Sequence, residues 1–270
     1  GIIAHELGHQ WYGDLITCKN WHHIWLNEGF ATFSEALYVE ATQGSFAYNN
    51  VMNNRMNQAK NAMGSIYVQN INNVWEIFDY SRSYVKASVV LHMLRGIAGD
   101  SVFFDILRTY SYHPSVAYGV AVTEDFQAIA EDVTGMDLNY FFQQWIYGQN
   151  YPRYRIIWDK ENTARNQWNL SLTINQNNNV NPSFFTMPVQ VKINFAAGDT
   201  LITLFNNEQS QTFEFIVDGE PLSIVFDPNN YILKTVLSVT TGIEDENYLN
   251  TFSLEQNYPN PFNPTTKIEF

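Results

Sequence analysis

The 270-residue chain is 45% hydrophobic and 16% aromatic against 15% charged, enough apolar surface to offset the entropy of ordering a core, so wholesale disorder is excluded. Its 14 basic and 27 acidic side chains leave a net charge of −13, which argues against nucleic acid as a partner. No apolar run reaches the roughly 18–20 residues of a membrane-spanning helix, and the one cysteine, Cys18, excludes an internal disulfide and reads as a buried core thiol.

At about 150 residues per domain the length suits two domains. The chain opens inside what reads as a helix, with no charged and apolar leader. It closes at residues 267–270 in an alternating run that reads as the start of a strand, so it reads as a fragment cut at both ends. From residue 1 to about 151, apolar residues recur every three or four positions, which predicts a mainly helical half. Helices are expected over 85–96 and 101–112, then, past a loop around Pro114, over 124–134 and 138–147. Thr123 ahead of Glu124 and Asp125 marks one start, and Gly135 and Gly148 mark stops. After Pro152 the period becomes two, in Tyr154/Ile156/Trp158, Leu170/Leu172/Ile174, Val189/Val191/Ile193, Leu201/Thr203/Phe205 and Phe213/Phe215/Val217. These runs predict an antiparallel β-sandwich over 152–238, followed by a polar, acidic linker over 239–252 and a new unit from 253 to 270. The Asn-rich stretches at 49–61 and 175–181 read as a solvated helix surface and a hairpin loop.

The string His5-Glu6-Leu7-Gly8-His9 carries the chemistry. Two imidazoles at i and i+4 on a helix are neighbours on one face and can share one zinc ion, while Glu6 points beside the metal at its water. Zinc needs a third protein ligand, and Glu28, separated from His9 by eighteen residues and set in Trp25-Leu26-Asn27-Glu28-Gly29-Phe30-Ala31, can supply it from a second helix. Composition alone yields only roughly 0.007 chance matches to His-Glu-x-x-His in such a chain. Hydrolysis of an amide also leaves charge on the former carbonyl oxygen, which a tyrosine hydroxyl can stabilise. Spacing does not choose between Tyr84 and Tyr80 for that part.

The run from His5 to Thr17, with Glu28 and its neighbours, Tyr84-Val85-Lys86, Met93-Leu94-Arg95, Gly99-Asp100, 141–145 and the segment 226–234, resembles the aminopeptidase N family of zinc metallopeptidases, the gluzincins, over about residues 1–238. The resemblance implies an α+β multidomain chain, the mainly helical half of a thermolysin-like catalytic domain followed by a β-domain. It implies His5, His9 and Glu28 as zinc ligands, Glu6 as general base and Tyr84, not Tyr80, as stabiliser of the oxyanion. The substrate it implies is a peptide, cleaved at its N-terminal residue. The family's Gly-x-Met-Glu-Asn loop, which holds the substrate's free amine, is expected upstream of residue 1, as are further strands, so apolar helix faces are expected to be uncovered and the fragment alone to turn over little. Thermolysin-like relatives use an acid four residues past the glutamate ligand to orient a histidine, and Thr32 stands there, so the group that orients the ligands is left open.

Residues 254–266, with three prolines among asparagines, resemble the opening of the C-terminal sorting domain of type IX secretion. That implies recognition by the secretion machinery and a secreted or cell-surface protein. Rival functions are another zinc hydrolase on the same scaffold, such as an endopeptidase or epoxide hydrolase, and a secreted non-catalytic zinc module, against which the intact Glu6 argues. His22 and His23 read as surface residues outside the ligand set, and Asp14 reads equally as a turn residue or as a support for a ligand. The aromatics Phe103, Phe104, Phe141, Phe142, Trp145 and Tyr147 read as packing.

Overall fold

The computed structural model describes residues 1–177 and 182–242. The predicted linker beyond residue 242 and the sorting-domain segment at 253–270 lie outside the described residues. The first half is helical, with α1 (Ile2–Gly8), α2 (Trp25–Gln43), α3 (Ser45–Ala59), the short α4 (Val74–Ile77), α5 (Ala87–Ala98), α6 (Asp100–Tyr112), α7 (Thr123–Thr134) and α8 (Asn139–Phe142). Two short strands, β1 (Ile16–Cys18) and β2 (Gly119–Ala121), pair in parallel between them, an element the helical period did not announce. Among the described residues no helix is long and apolar enough to cross a membrane.

Two predicted helices begin or end as π-helix. Tyr80–Lys86 precedes α5 and Gln143–Tyr147 extends α8, so the helix expected over 85–96 starts five residues earlier, where the Asp79 side chain accepts from the Arg82 amide at 2.9 Å. Wide π turns of this kind occur mostly as local bulges, frequently at functional sites. Thr123 does open α7, but its hydroxyl is turned inward to Trp25 Nε1 and His23 Nδ1, both at 2.9 Å. Asp125 caps that helix instead, accepting from the Val122 amide at 2.9 Å.

Beyond Pro152 the strands form two sheets, β7-β4-β3-β9 and β6-β5-β8. They run β3 (Arg153–Ala164), β4 (Gln167–Gln176), β5 (Met187–Phe195), β6 (Gly198–Asn206), β7 (Ser210–Asp218), β8 (Ser223–Phe226) and β9 (Thr235–Thr241). Tyr154 of one sheet packs on Phe226 of the other, ring centroids 4.8 Å apart. Three expectations are corrected. The pairing is not wholly antiparallel, since β9 runs parallel to β3. That strand continues to Thr241, into what the sequence reads as linker. On β6 the inward residues are Ile202 and Leu204, whereas Leu201 and Phe205 are each 47% exposed.

The two halves share one core cluster of buried side chains. Between them His92 of α5 accepts the Tyr48 hydroxyl at Nδ1 (2.7 Å) and donates from Nε2 to the Asn230 carbonyl (3.3 Å). Burial pushes its imidazole down to about 4, so it joins the halves as a neutral ring. Trp145 stacks on Phe185, centroids 4.4 Å apart. The outer face of α1 leaves Ile2, Ile3 and Leu7 exposed.

Candidate active site

Close helix packing assembles the site. Gly8 is where α1 crosses α2, and a side chain there would press on the Ala31 backbone at 3.1 Å and on Ser34 at 3.2 Å. Gly29 is where α5 meets α2, and a Cβ there would lie 2.5 Å from that of Ala87. The first contact lays His5 and His9 over Glu28; the second brings up the π turn that carries Tyr84. The glycines of His-Glu-Leu-Gly-His and Asn-Glu-Gly-Phe thus allow three helices to meet.

His5 Nε2 and His9 Nε2 lie 3.1 Å apart, and Glu28 Oε2 lies 3.3 Å from the first and 3.4 Å from the second. The opposite ring nitrogens are committed. His9 Nδ1 donates to the Tyr12 carbonyl at 3.0 Å, and His5 Nδ1 donates to Glu35 Oε1 at 3.0 Å. Held this way, the two rings turn both Nε2 atoms and a carboxylate oxygen toward one point. Three mutually repelling acceptors at these separations call for a cation. Ligands about 2.0–2.1 Å from a tetrahedral zinc stand about 3.3–3.4 Å from one another, close to the 3.1, 3.3 and 3.4 Å found here. Among the described residues this trio is the one group of three His, Cys, Asp or Glu side chains close enough to hold a metal. The field agrees with the geometry: the Glu28 carboxylate pushes the His9 imidazole up to about 8, with a contribution from Glu6.

Tyr84 closes the other side. Its ring lies nearly parallel to that of His5, centroids 6.0 Å apart at 18°, while Tyr80 is largely exposed and stacks on Tyr84 from outside. Burial, together with the carboxylates of Glu28 and Glu6, pushes the Tyr84 phenol well above its ordinary value. The hydroxyl therefore remains a donor throughout the neutral range. Glu6 is exposed, and its charge is felt at both His9 and Tyr84.

The residue that orients His5 is Glu35, which no local signal singled out; the Thr32 hydroxyl is buried and, among the described residues, without a hydrogen-bond partner. Seven residues past Glu28, Glu35 lies two turns along the same helix and on the same face, and that spacing is the signal that could have found it. His23 is corrected from a surface residue to a buried one, 6% exposed. His22 stacks on Tyr67 and neither histidine belongs to the metal trio. Asp14 is exposed and, among the described residues, its carboxylate accepts from Gln10 alone, which is the turn reading. Cys18 is buried, and burial pushes its thiol up to about 11.

Lys86, two residues past Tyr84, is 1% exposed and its Nζ has no hydrogen-bond partner among the described residues. Burial, with the charge of Arg82, pushes the ammonium down from 10.5 to about 8. The unfolded chain holds this proton to higher pH than the folded one, so folding expels it between about pH 8 and 10.5, and stability rises with pH across that window. Lys86→Met is therefore expected to stabilise the fold by about 3 kcal/mol at pH 7. The advantage should shrink above pH 8 and vanish by about 10.5. Denaturant unfolding of both proteins at pH 7, 9 and 10.5 checks it; a pH-independent difference would show that burial of the charge costs nothing.

The peptidase family M1 domain matches residues 1–145. The chain belongs to peptidase family M1. The M1 match takes in His5, Glu6, His9, Glu28, Glu35 and Tyr84 and ends just before the first of the large sheets. Aminopeptidase M1-C of Oryza sativa subsp. japonica is 34% identical over 160 residues, 56% of this chain and 18% of that protein. Aminopeptidase N of Lactococcus lactis subsp. lactis is 32% identical over 160 residues, 56% of this chain and 19% of that protein. Puromycin-sensitive aminopeptidase of Caenorhabditis elegans is 27% identical over 236 residues, 81% of this chain and 24% of that protein. The chain spans about a fifth of the length of these curated M1 relatives. The crystal structure of Legionella pneumophila aminopeptidase A in complex with aspartic acid superposes with a TM-score of 0.67 at 20% identity, covering 90% of this chain and 27% of that one, which shows a shared fold across both halves.

Proposed function

We propose that the chain is the metal-bearing part of a zinc aminopeptidase that removes N-terminal residues from peptides, the helical half belonging to a thermolysin-like catalytic domain. The observation that carries the reading is the trio His5, His9 and Glu28, whose free acceptor atoms converge at tetrahedral zinc spacing. A zinc ion held there would supply a Lewis acid that polarises a carbonyl and acidifies water. Glu6 then serves as general base, accepting a proton from the attacking water and returning it to the leaving amine. Tyr84 donates its hydroxyl hydrogen bond to the oxyanion of the tetrahedral intermediate. His5 and His9 keep their orientation through the bonds from Nδ1 to Glu35 and Tyr12.

The test is a pair of substrates, an aminoacyl anilide with a free α-amine and its N-acetylated counterpart, given to the protein at its natural length. Hydrolysis of the first alone, lost on chelation and restored by zinc, is the expected result. Equal hydrolysis of both would replace the aminopeptidase by another hydrolase, and hydrolysis that survives chelation would remove the metal. The resemblance of residues 254–266 to a type IX sorting domain supports export to the cell surface or beyond as a separate proposal.

A further inference from the structure

The reaction scheme leaves unused a layer of side chains behind the metal ligands. Glu35 gives its two oxygens to different partners: Oε1 accepts from His5 Nδ1 at 3.0 Å and Oε2 accepts from Arg55 Nη2 at 2.9 Å. Arg55 reaches over from α3, and its other terminal nitrogen, Nη1, donates to the Thr32 carbonyl at 2.7 Å. Its side chain is only 11% exposed, a large desolvation cost for a permanent cation, which these bonds must offset.

The fork is the informative feature. A side chain that merely tied α3 to α2 would need one anchor on α2. Arg55 instead grips two groups three residues apart on that helix, the Thr32 carbonyl and the Glu35 carboxylate. Since a guanidinium is planar and rigid, fixing one end on the helix backbone fixes where the other end holds Oε2, and so which way Oε1 faces. Without that grip Glu35, whose side chain is 25% exposed, is free to turn to water. His5 would then lose the acceptor that holds its ring edge-on to the metal point.

Building on the zinc reading above, we propose that Arg55 is a positioning residue for the metal centre, acting through Glu35 on His5. Partners behind a ligand typically change metal affinity by about 10–100-fold, and Arg55 stands one step further back. Arg55→Gln is accordingly expected to weaken zinc binding about tenfold, and Arg55→Lys, which keeps the charge but not the fork, about threefold. In a Glu35→Ala background neither change should weaken it further, because the route to His5 is already cut.

The experiment is chelator competition for zinc on these variants of the protein at its natural length, with the thermal midpoint of each metal-free protein measured beside it. A purely structural tie would lower the midpoint equally in both backgrounds and leave zinc affinity within twofold, and that result overturns the proposal. Loss of zinc affinity by Arg55→Gln to the same extent with and without Glu35 overturns it too. Should Arg55→Gln fail to fold, Arg55→Lys decides alone: a threefold loss confined to the Glu35-containing protein supports the role, and equal affinity in both backgrounds removes it. If the unaltered protein takes up no zinc, the metal reading itself falls; if it takes up zinc and Arg55 proves indifferent, only the positioning role falls.

Discussion

Glu6→Gln is expected to lower kcat for peptide-amide hydrolysis by roughly 10³–10⁴-fold while one zinc per chain stays bound and KM changes little. Glutamine keeps the shape of the side chain and discards only its capacity to take a proton. None of the three acceptors that face the metal point is touched, and neither is either Nδ1 bond behind them. The charge removed is one that both His9 and Tyr84 feel. Its loss weakens the field that favours a cation at the site, while all three acceptors stay in place. A thousandfold loss corresponds to about 4 kcal/mol of transition-state stabilisation, within what a positioned general base supplies. Metal analysis must accompany the kinetics. Turnover within tenfold of the original, with zinc present, removes Glu6 from the proton path. A parallel loss of zinc and rate would instead assign it to holding the site together.

The parts of the site that obey a local period were legible in the sequence. His5 and His9 are one turn apart on one helix, so four letters fix their proximity, and Glu28 stands on a helix whose apolar period is clear. Tyr84 was legible only through resemblance, because a π turn aims it and no three- or four-residue spacing encodes a π turn. Glu35 and Arg55 are further out of reach: the first bond spans 30 residues and the second 20, and both depend on how helices pack. The sheets teach the same lesson at lower resolution. Alternation found β3 to β7, yet it cannot say which face is inward where both carry apolar groups. On β6 the outward Phe205 packs against Tyr140 of α8, centroids 5.5 Å apart, so an aromatic that reads as sheet core belongs to the junction with the helices. Nor does alternation carry direction, and β9 beside β3 is parallel.

Tyr84→Phe is expected to lower kcat by about 10²–10³-fold with KM and zinc content unchanged, the cost of removing one donor from an oxyanion site. The substitution is well isolated. Phenylalanine retains the ring that lies against His5 and against Tyr80, so the packing of the π turn survives and only the hydroxyl goes. Whether that hydroxyl is a donor depends on its keeping its proton, and the same burial and carboxylates that surround it hold the phenol above its usual titration range. The pH–rate profile of the unaltered protein should therefore show no fall assignable to Tyr84 up to about pH 10. Tyr84→Phe should lower that profile uniformly without changing its shape. A Tyr84 that bound ground-state substrate and transition state alike would behave differently, raising KM and sparing kcat. A tyrosine acting as proton donor in place of Glu6 would remove a limb from the profile along with the rate. The kcat-only loss with an unaltered profile is the signature of a neutral hydroxyl that meets charge only as charge develops on the carbonyl oxygen.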